Sequence, residues 1–292
     1  FLNICIDTEG PLTESLGATF DRINSKFKLN IKCSKKNLSL LQNKKYFFTN
    51  NHISKKIADF VHPKRISYLN NWKQVNKMVS NITSREFRLK YKDHIGAGLA
   101  FSWYIIDYVG YKNNPRKKSL GFHSVLDQTL KSVKNNSNDT FGWHFHTVPK
   151  NQNALEYNHT WTNNDWHEQS ICRRLLEKKT FSPIFRAGGN IERNDLSFWL
   201  ENFIPFDFSC LSYRKGKNIY KSAGMSDWRF APSDWSYYNP DFYDYRKKGK
   251  MNRTIFRSLD LDTNSYSIDK NDIESAFKRS LKTNTVLSVS TH

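Results

Sequence analysis

The chain contains little cysteine, and the cysteines it has do not form a recognisable pattern. Its 292 residues include only Cys5, Cys33, Cys172 and Cys210, which show no CxxC spacing. This density argues against a disulfide scaffold, since such proteins space many cysteines closely. We therefore expect four free thiols, with Cys5 and Cys210 buried in strands.

Long apolar runs are also missing. The longest, Gly96–Tyr111, is interrupted by Ser102 and Asp107 and is too short to cross a bilayer as a helix. No basic segment followed by an apolar one opens the chain shown, so no signal-peptide pattern is visible. We expect a soluble protein without a membrane span, and the sequence leaves its compartment and oligomeric state open.

Acidic residues are scarce relative to basic ones, with 27 Asp and Glu against 46 Lys and Arg and a formal charge of +19. Such a charge could bind nucleic acid or another polyanion by releasing counterions. The lysines are spread over Lys26–Lys92, Lys112–Lys134, Lys215–Lys221 and Lys247–Lys250, and no stretch resembles a nucleic-acid motif. We interpret them mostly as a solvated surface, with a polyanion groove as the alternative, and do not expect nucleic acid as a partner.

Apolar and aromatic residues are present in sufficient number to build a core. The chain is 38% hydrophobic and contains 21 Phe, 14 Tyr and 8 Trp. Short apolar runs with strand character alternate with helical patterns, which is typical of repeated β-α units around a parallel sheet or barrel. The predicted strands are Leu2–Asp7, Leu99–Tyr104, Thr140–His146, Ile184–Ala187, Phe206–Cys210, Ile255–Leu261 and Thr285–Thr291.

Helical periodicity appears between most of these strands, and Asn194, Asp195 and Asp269 suit helix starts. No repeat or linker divides the chain, so residues 1–292 are predicted to form one domain. Two stretches look like elaborations of it, a basic insertion at about 13–93 and an aromatic-rich insertion at about 212–249. The predicted helices are His52–Phe60, Tyr68–Met78, Phe122–Lys134, Glu168–Lys179, Arg193–Phe203 and Ile268–Leu281.

Two carboxylates stand where the first predicted strand ends. Asp7 and Glu9 are two residues apart, so their side chains should project from the same face of the strand. The carboxyl ends of parallel strands are where α/β folds keep their sites. The pair therefore indicates a candidate site, although a polar acidic loop explains it equally well.

Two histidines have the same spacing on the third predicted strand. His144 and His146 should share a face, and two imidazoles together with Glu9 would make a set suited to Zn²⁺ or another divalent ion. Alone, such a pair of histidines is more often structural or exposed. Its weight comes from the carboxylates that accompany it.

Two further strand ends carry polar side chains. Arg186 precedes Gly188 and Gly189, which allow close backbone approach, and its guanidinium could fix the carboxylate of Asp7. His292 ends the last strand and could serve as a general acid, or could equally be a frayed end.

These motifs together resemble the polysaccharide deacetylases that share the nodulation-type chitooligosaccharide deacetylase domain. Asp7-Thr8-Glu9, His144-Phe145-His146, Arg186-Ala187-Gly188-Gly189, Ser226-Asp227-Trp228 and Leu287 with His292 occur in the family's order and span the whole chain. The resemblance implies a deformed (β/α) barrel of about seven strands. It also implies a divalent metal cofactor, most often zinc, and an acetylated amino-sugar oligo- or polysaccharide as substrate.

The resemblance also implies roles for single residues. Asp7 would be the general base, oriented by Arg186, and His292 would be the general acid. Glu9, His144 and His146 would bind the metal ion, with Glu9 where the family usually has a second Asp. The family's histidines are usually four apart, so His159 and His167 remain alternative ligands. Residues assigned to the substrate region are Trp143, Asp227, Trp228 and Gly188.

The implied reaction is removal of an acetyl group as acetate, which leaves a free amine. A metal-activated water could also attack other acyl groups, so hydrolysis of another C–N bond or of an ester is a rival prediction. A second rival is a non-catalytic member that binds carbohydrate or a polyanion. It predicts no bound metal and binding that weakens with salt.

Overall fold

Seven parallel strands close into a barrel in the computed structural model of the chain. The structure describes residues 2–11, 15–48, 51–63, 71–107, 112, 114, 122–133, 138–146, 165–190, 192–211, 228, 236–261 and 270–291. Each strand pairs with the next along the chain, and the last pairs with the first. The strands are β1 (Leu2–Thr8), β2 (Ser102–Ile106), β3 (Thr140–Phe145), β4 (Ile184–Ala187), β5 (Phe206–Leu211), β6 (Thr254–Asp260) and β7 (Leu287–Thr291).

Side chains from four strands meet in the middle of the barrel. Cys5, Tyr104, Ile184 and Phe208 form one buried cluster there, although β1, β2, β4 and β5 are not all neighbours. Alternate residues point outward into larger apolar clusters, because successive side chains of a strand lie on opposite faces. This alternation makes the barrel interior a packed core and leaves its ends for polar groups.

Helices follow the strands, as expected for β-α units. Ser15, Ser34, Asn71 and Ser84 each accept a hydrogen bond from a backbone N–H in the first turn of the helix that they precede, which fixes where these helices begin. The helices are α1 (Leu16–Phe27), α2 (Lys35–Gln42), α3 (Asn51–Phe60), α4 (Trp72–Ile82), α5 (Arg85–Leu89), α6 (Ser124–Ser132), α7 (Asp165–Lys178), α8 (Asn194–Leu200) and α9 (Lys270–Lys282).

The predicted α/β barrel is confirmed at the level of a closed seven-stranded parallel barrel with surrounding helices. All seven strands lie at or near their predicted positions; the largest difference is β2, which begins at Ser102 rather than Leu99. The sequence prediction missed α1, α2 and α5. The polar residues of α1 and α2, among them Lys, Asn and Ser, obscured their apolar periodicity, and α5 has only five residues, too few to show a helical period.

The first connection of the barrel contains a small group of helices with a core of its own. Residues 15–48 and 51–63, here called the helical lobe, comprise α1, α2 and α3. Phe20, Ile23, Leu41, Ile57 and Val61 belong to one buried cluster of the lobe that is separate from the barrel clusters. The lobe is therefore stabilised by its own apolar contacts, and the barrel does not supply them.

Two residues that flank the helical lobe in the chain, Gly10 and Trp72, meet at the rim of the barrel. A Cβ atom built on Gly10 would lie only 2.9 Å from Cη2 of Trp72, so the indole ring packs directly against this glycine. Gly10 follows the first strand and has a φ of 80°, and Trp72 is the first residue of α4. The described residues on either side of the lobe thus meet at the glycine that follows Glu9.

The predictions about the cysteines and about a membrane span can be compared directly with the described residues. All four cysteines are free thiols, as predicted, with Cys5 and Cys210 buried and Cys33 and Cys172 exposed. Among the helices within the described ranges, none combines the length and apolarity needed to span a bilayer.

Candidate metal centre

Three ligand-type side chains converge at the carboxyl end of the barrel. Glu9 follows β1, His144 lies near the end of β3, and His146 follows β3. The side chains are almost fully buried, with 2%, 1% and 6% of their surfaces exposed. In the described part of the chain, they form the group of three that could hold a metal ion, with their ligand atoms within 4.8 Å of one another.

Two of the three spacings between ligand atoms match those around a small divalent cation, and the third, between Glu9 and His146, is that of a hydrogen bond. The two Nε2 atoms of His144 and His146 are 3.2 Å apart, and Oε1 of Glu9 is 3.6 Å from the first and 2.6 Å from the second. In tetrahedral zinc sites with bonds of about 2.0–2.1 Å, ligand atoms lie roughly 3.3 Å apart. Two imidazoles and one carboxylate are also a donor set that zinc accepts, with a position left for a further group.

Backbone contacts orient both imidazoles. Nδ1 of His144 lies 2.8 Å from the carbonyl oxygen of Arg186, its register partner on β4. A carbonyl can only accept, so this nitrogen donates, and the lone pair of a neutral imidazole is at Nε2 in the cluster. The ring of His146 packs on Gly188, where an added Cβ would lie 2.4 Å from Cγ and Cδ2 of that ring. Gly188 therefore makes room for a candidate ligand.

A second carboxylate is held beside this cluster. Nε of Arg186 donates to Oδ2 of Asp7 at 3.0 Å and lies 2.9 Å from Oδ1. Oδ1 of Asp7 is also 3.9 Å from Nδ1 of His144. The side chain of Asp7 is 11% exposed, more than any of the three candidate ligands. Asp7 thus lies at the accessible side of the group.

Arg186 is fixed by contacts that cross the barrel. Its Nη1 donates to the carbonyl oxygen of Phe208 at 2.6 Å, and its Nη2 donates to Oγ of Ser290 at 3.1 Å. The side chain is 2% exposed and connects β4 with β1, β5 and β7. Sequence reasoning missed Ser290, although the period-two pattern of Ser288 and Ser290 in an otherwise apolar strand was a usable signal.

Below the candidate site, burial in the barrel interior keeps the thiol of Cys5 and the hydroxyl of Tyr104 neutral. Burial raises the pKa of the Cys5 thiol to about 11, because desolvation penalises the thiolate. Burial also raises the pKa of Tyr104 well above its ordinary value. Sγ of Cys5 lies 3.2 Å from Oγ of Ser288 and 3.8 Å from the hydroxyl of Tyr104. These groups satisfy one another and carry no charge near neutral pH.

The structure corrects two assignments to the substrate region. Trp143 lies on the face of β3 opposite to His144, is fully buried, and donates from Nε1 to Oγ of Ser170 at 3.2 Å. Trp228 is also fully buried and packs edge-on against Tyr245, with ring centroids 5.0 Å apart. Both indoles are therefore core residues, because neither presents a face on which a sugar could stack.

The remaining predicted residues fall outside the cluster or outside the described ranges. His167 is buried on α7, and its ring lies 4.2 Å from that of Phe145, centroid to centroid, away from the three candidate ligands. Asp227, His159 and His292 lie outside the described residues. The alternative in which His167 replaces a ligand therefore has no support in this geometry.

The chain was also compared with known proteins. It matches no protein-family model, no curated protein and no solved structure. The function of the protein is therefore inferred from the geometry of the site and from its residue types.

Proposed function

We propose that this protein is a metal-dependent hydrolase that removes acetyl groups from amino sugars of an oligo- or polysaccharide. The observation that carries the proposal is the convergence of Glu9, His144 and His146 beside an Asp7 that Arg186 holds in place. The closed parallel barrel supports it as well, because the resemblance in sequence implies a deacetylase-like barrel with these residues at strand ends.

The three converging side chains are the ones that would hold the metal ion. Zinc is the best candidate, since two imidazoles and a carboxylate suit it and leave room for other ligands. A bound divalent ion supplies Lewis acidity, which polarises an acyl oxygen and lowers the pKa of a nearby water. The hydrogen bond from Nδ1 of His144 to the carbonyl of Arg186 would favour the correct tautomer and ring orientation for binding.

Asp7 is the proposed general base. Its carboxylate is the most exposed acidic group of the cluster, and the guanidinium of Arg186 restricts its rotation. A base held in one orientation can accept a proton from a water without first being ordered, which lowers the entropic part of the barrier. Arg186 is a positioning residue in this scheme, since it acts through Asp7.

The proton for the departing amine is assigned to His292 on the basis of the resemblance. Its side chain lies outside the described residues, but β7 is described up to Thr291, whose register partner is Ile6, the residue before Asp7. Deacetylation consumes one water, breaks the C–N bond of the acetamide, and gives acetate and the free amine.

Acetate release tests the proposal. The zinc-loaded protein should release acetate from N-acetylated chitooligosaccharides, and Asp7→Asn should lower kcat by roughly 10²- to 10⁴-fold, because a general base contributes about that much. Zinc content should stay the same in the variant. Zinc binding without acetate release from any N- or O-acetylated sugar would contradict the deacetylase and leave another C–N hydrolase or a binding protein.

A further inference from the structure

A large part of the excess positive charge of this protein lies in the helical lobe. The helical lobe contains ten Lys and Arg residues against Asp21 and Asp59, a net charge of +8 out of +19 for the whole chain. About one-sixth of the chain thus carries nearly half of the charge. In the chain the lobe lies between Gly10, directly after Glu9, and Trp72, whose indole ring packs against that glycine.

Most of these cations are available to a partner. Within the described residues, eight lysines of the helical lobe are exposed and form no ion pair. Exposed, unpaired lysines at this density repel one another at low ionic strength. Salt weakens this repulsion, because charges are screened beyond roughly 10 Å at 0.1 M. The eight are Lys28, Lys32, Lys35, Lys36, Lys44, Lys45, Lys55 and Lys56.

The helix ends add to this unfavourable electrostatic energy. The first turns of α1, α2 and α3 contain no acidic residue, and Lys35 and Lys36 occupy the first two positions of α2. Cations at a helix N-terminus oppose the helix dipole and destabilise the helix. A bound polyanion would reduce the repulsion between the lysines and would also offset their unfavourable interaction with the helix dipoles.

We propose that the helical lobe binds an acidic polysaccharide and that the acetylated substrate is a carboxylate-bearing glycan. The choice of a glycan as the polyanion and the assignment of the substrate both rest on the proposed deacetylase function. Nine of the ten cations are lysines, and the choice of a glycan over a nucleic acid follows from the proposed function, whose substrate is a carbohydrate. Arginine pairs bidentately with carboxylates as well as with phosphates, so the lysine content alone does not separate the two kinds of polyanion, and the single Arg22 lies over the ring of Phe60.

Binding can be tested apart from catalysis. The probe is a fluorescent hyaluronan oligosaccharide, which alternates glucuronate with N-acetylglucosamine, and anisotropy is measured with His144→Ala protein so that no turnover occurs. Because added salt screens the contacts between lysines and carboxylates, affinity should fall by about an order of magnitude between about 50 and 200 mM salt. A neutral N-acetylchitooligosaccharide of equal length should show no comparable salt dependence.

Two charge variants locate the surface. The lobe variant replaces Lys35, Lys36, Lys55 and Lys56 by Gln, and should weaken hyaluronan binding at least about tenfold at low salt. The control variant replaces the exposed residues Lys248, Lys250, Lys278 and Lys282 by Gln, which removes the same charge outside the lobe. The control should change binding by less than about twofold. Equal losses in both variants would overturn the assignment of the surface.

Turnover tests the link to the candidate site. In an otherwise wild-type, zinc-loaded protein, the lobe variant should lower the ratio of kcat/KM for the acidic substrate over the neutral one by about tenfold, mainly through KM. Unchanged ratios would overturn the substrate assignment. Tighter binding of single-stranded DNA than of hyaluronan at equal salt would overturn the choice of a glycan. If acetate release is absent but lobe-dependent binding persists, the proposed function fails and the acidic-glycan surface stands.

Discussion

The imidazole ring of His146 occupies the space that any side chain on Gly188 would need. A Cβ atom at that position would lie 2.4 Å from two ring atoms of the histidine and 2.8 Å from its Cα. Gly188→Ala should therefore displace His146 and lower zinc affinity by roughly 10- to 100-fold, the range typical for losing support of a ligand. Competition with a chromogenic chelator measures this. Gly17→Ala is the control, since its nearest neighbour is 3.8 Å away, and equal zinc affinity in both variants would contradict the packing argument.

Removal of either imidazole should abolish metal binding. We expect His144→Ala and His146→Ala each to lower zinc affinity by more than about 100-fold, because losing only the hydrogen-bond partner of a ligand costs 10- to 100-fold. His167→Ala also removes a buried imidazole, but one that packs against Phe145, so its zinc content should stay at the wild-type level. Mass spectrometry of the metal content distinguishes the three variants, and a loss of zinc in the His167 variant would contradict the assignment.

Arg186→Met should separate metal binding from turnover. The variant removes the guanidinium that contacts Asp7, so the carboxylate gains rotational freedom and kcat should fall about 100-fold, as expected for misplacement by about 1 Å. Arg88→Met is a matched control, because Arg88 is also buried and pairs with a carboxylate, Asp139, at the start of β3. It should reduce the melting temperature without lowering kcat. Unchanged kcat in the Arg186 variant would remove its positioning role.

A buried carboxyl group outside the site should make stability depend on pH. Burial raises the pKa of Glu192 well above its ordinary value of 4.5, beside Arg253 and Asp207. The folded state therefore binds this proton more tightly than the unfolded chain, and the stability it contributes is complete below pH 4.5 and is lost as pH rises. The loss can reach about 1.4 kcal/mol per pH unit.

Glu192→Gln keeps the neutral shape of the side chain and removes its titration. The melting temperature of this variant should fall less than that of the wild type between about pH 5 and pH 8. Glu168→Gln is the control, since its side chain is exposed and its removal should leave the pH dependence unchanged. Parallel melting curves for wild type and Glu192→Gln across this range would show that the carboxyl group is ionised in the folded protein.

The cysteines should divide into two reactive and two unreactive thiols. Burial raises the pKa of both Cys5 and Cys210 to about 11, so they remain protonated and inaccessible at about pH 8. Iodoacetamide should label Cys33 and Cys172 in the folded protein and all four after denaturation. Peptide mass spectrometry identifies the labelled positions. Rapid native labelling of Cys5 would contradict the packed barrel interior.

The strands and the grouping of the ligands could be predicted because they depend on local alternation. Asp7 with Glu9, and His144 with His146, are each two positions apart, and a strand places such residues on one face whatever surrounds it. The same alternation applied to Trp143 would have placed it opposite to His144, where the structure has it. In the basic segment, α3 and α4 were predicted, but α1 and α2 were missed because their polar residues obscured the helical period, and α5 because it is only five residues long.

The amino-acid sequence by itself determined the order of strands and helices and the face on which each polar side chain stands. Only the tertiary structure decided that Glu9 reaches His146, that Arg186 crosses the barrel to Asp7, and that Trp228 is buried. The physical reason is the separation along the chain of the residues that interact. Alternation is a property of a few consecutive residues, whereas barrel closure depends on contacts between strands far apart in the chain, and these contacts set which strand ends meet.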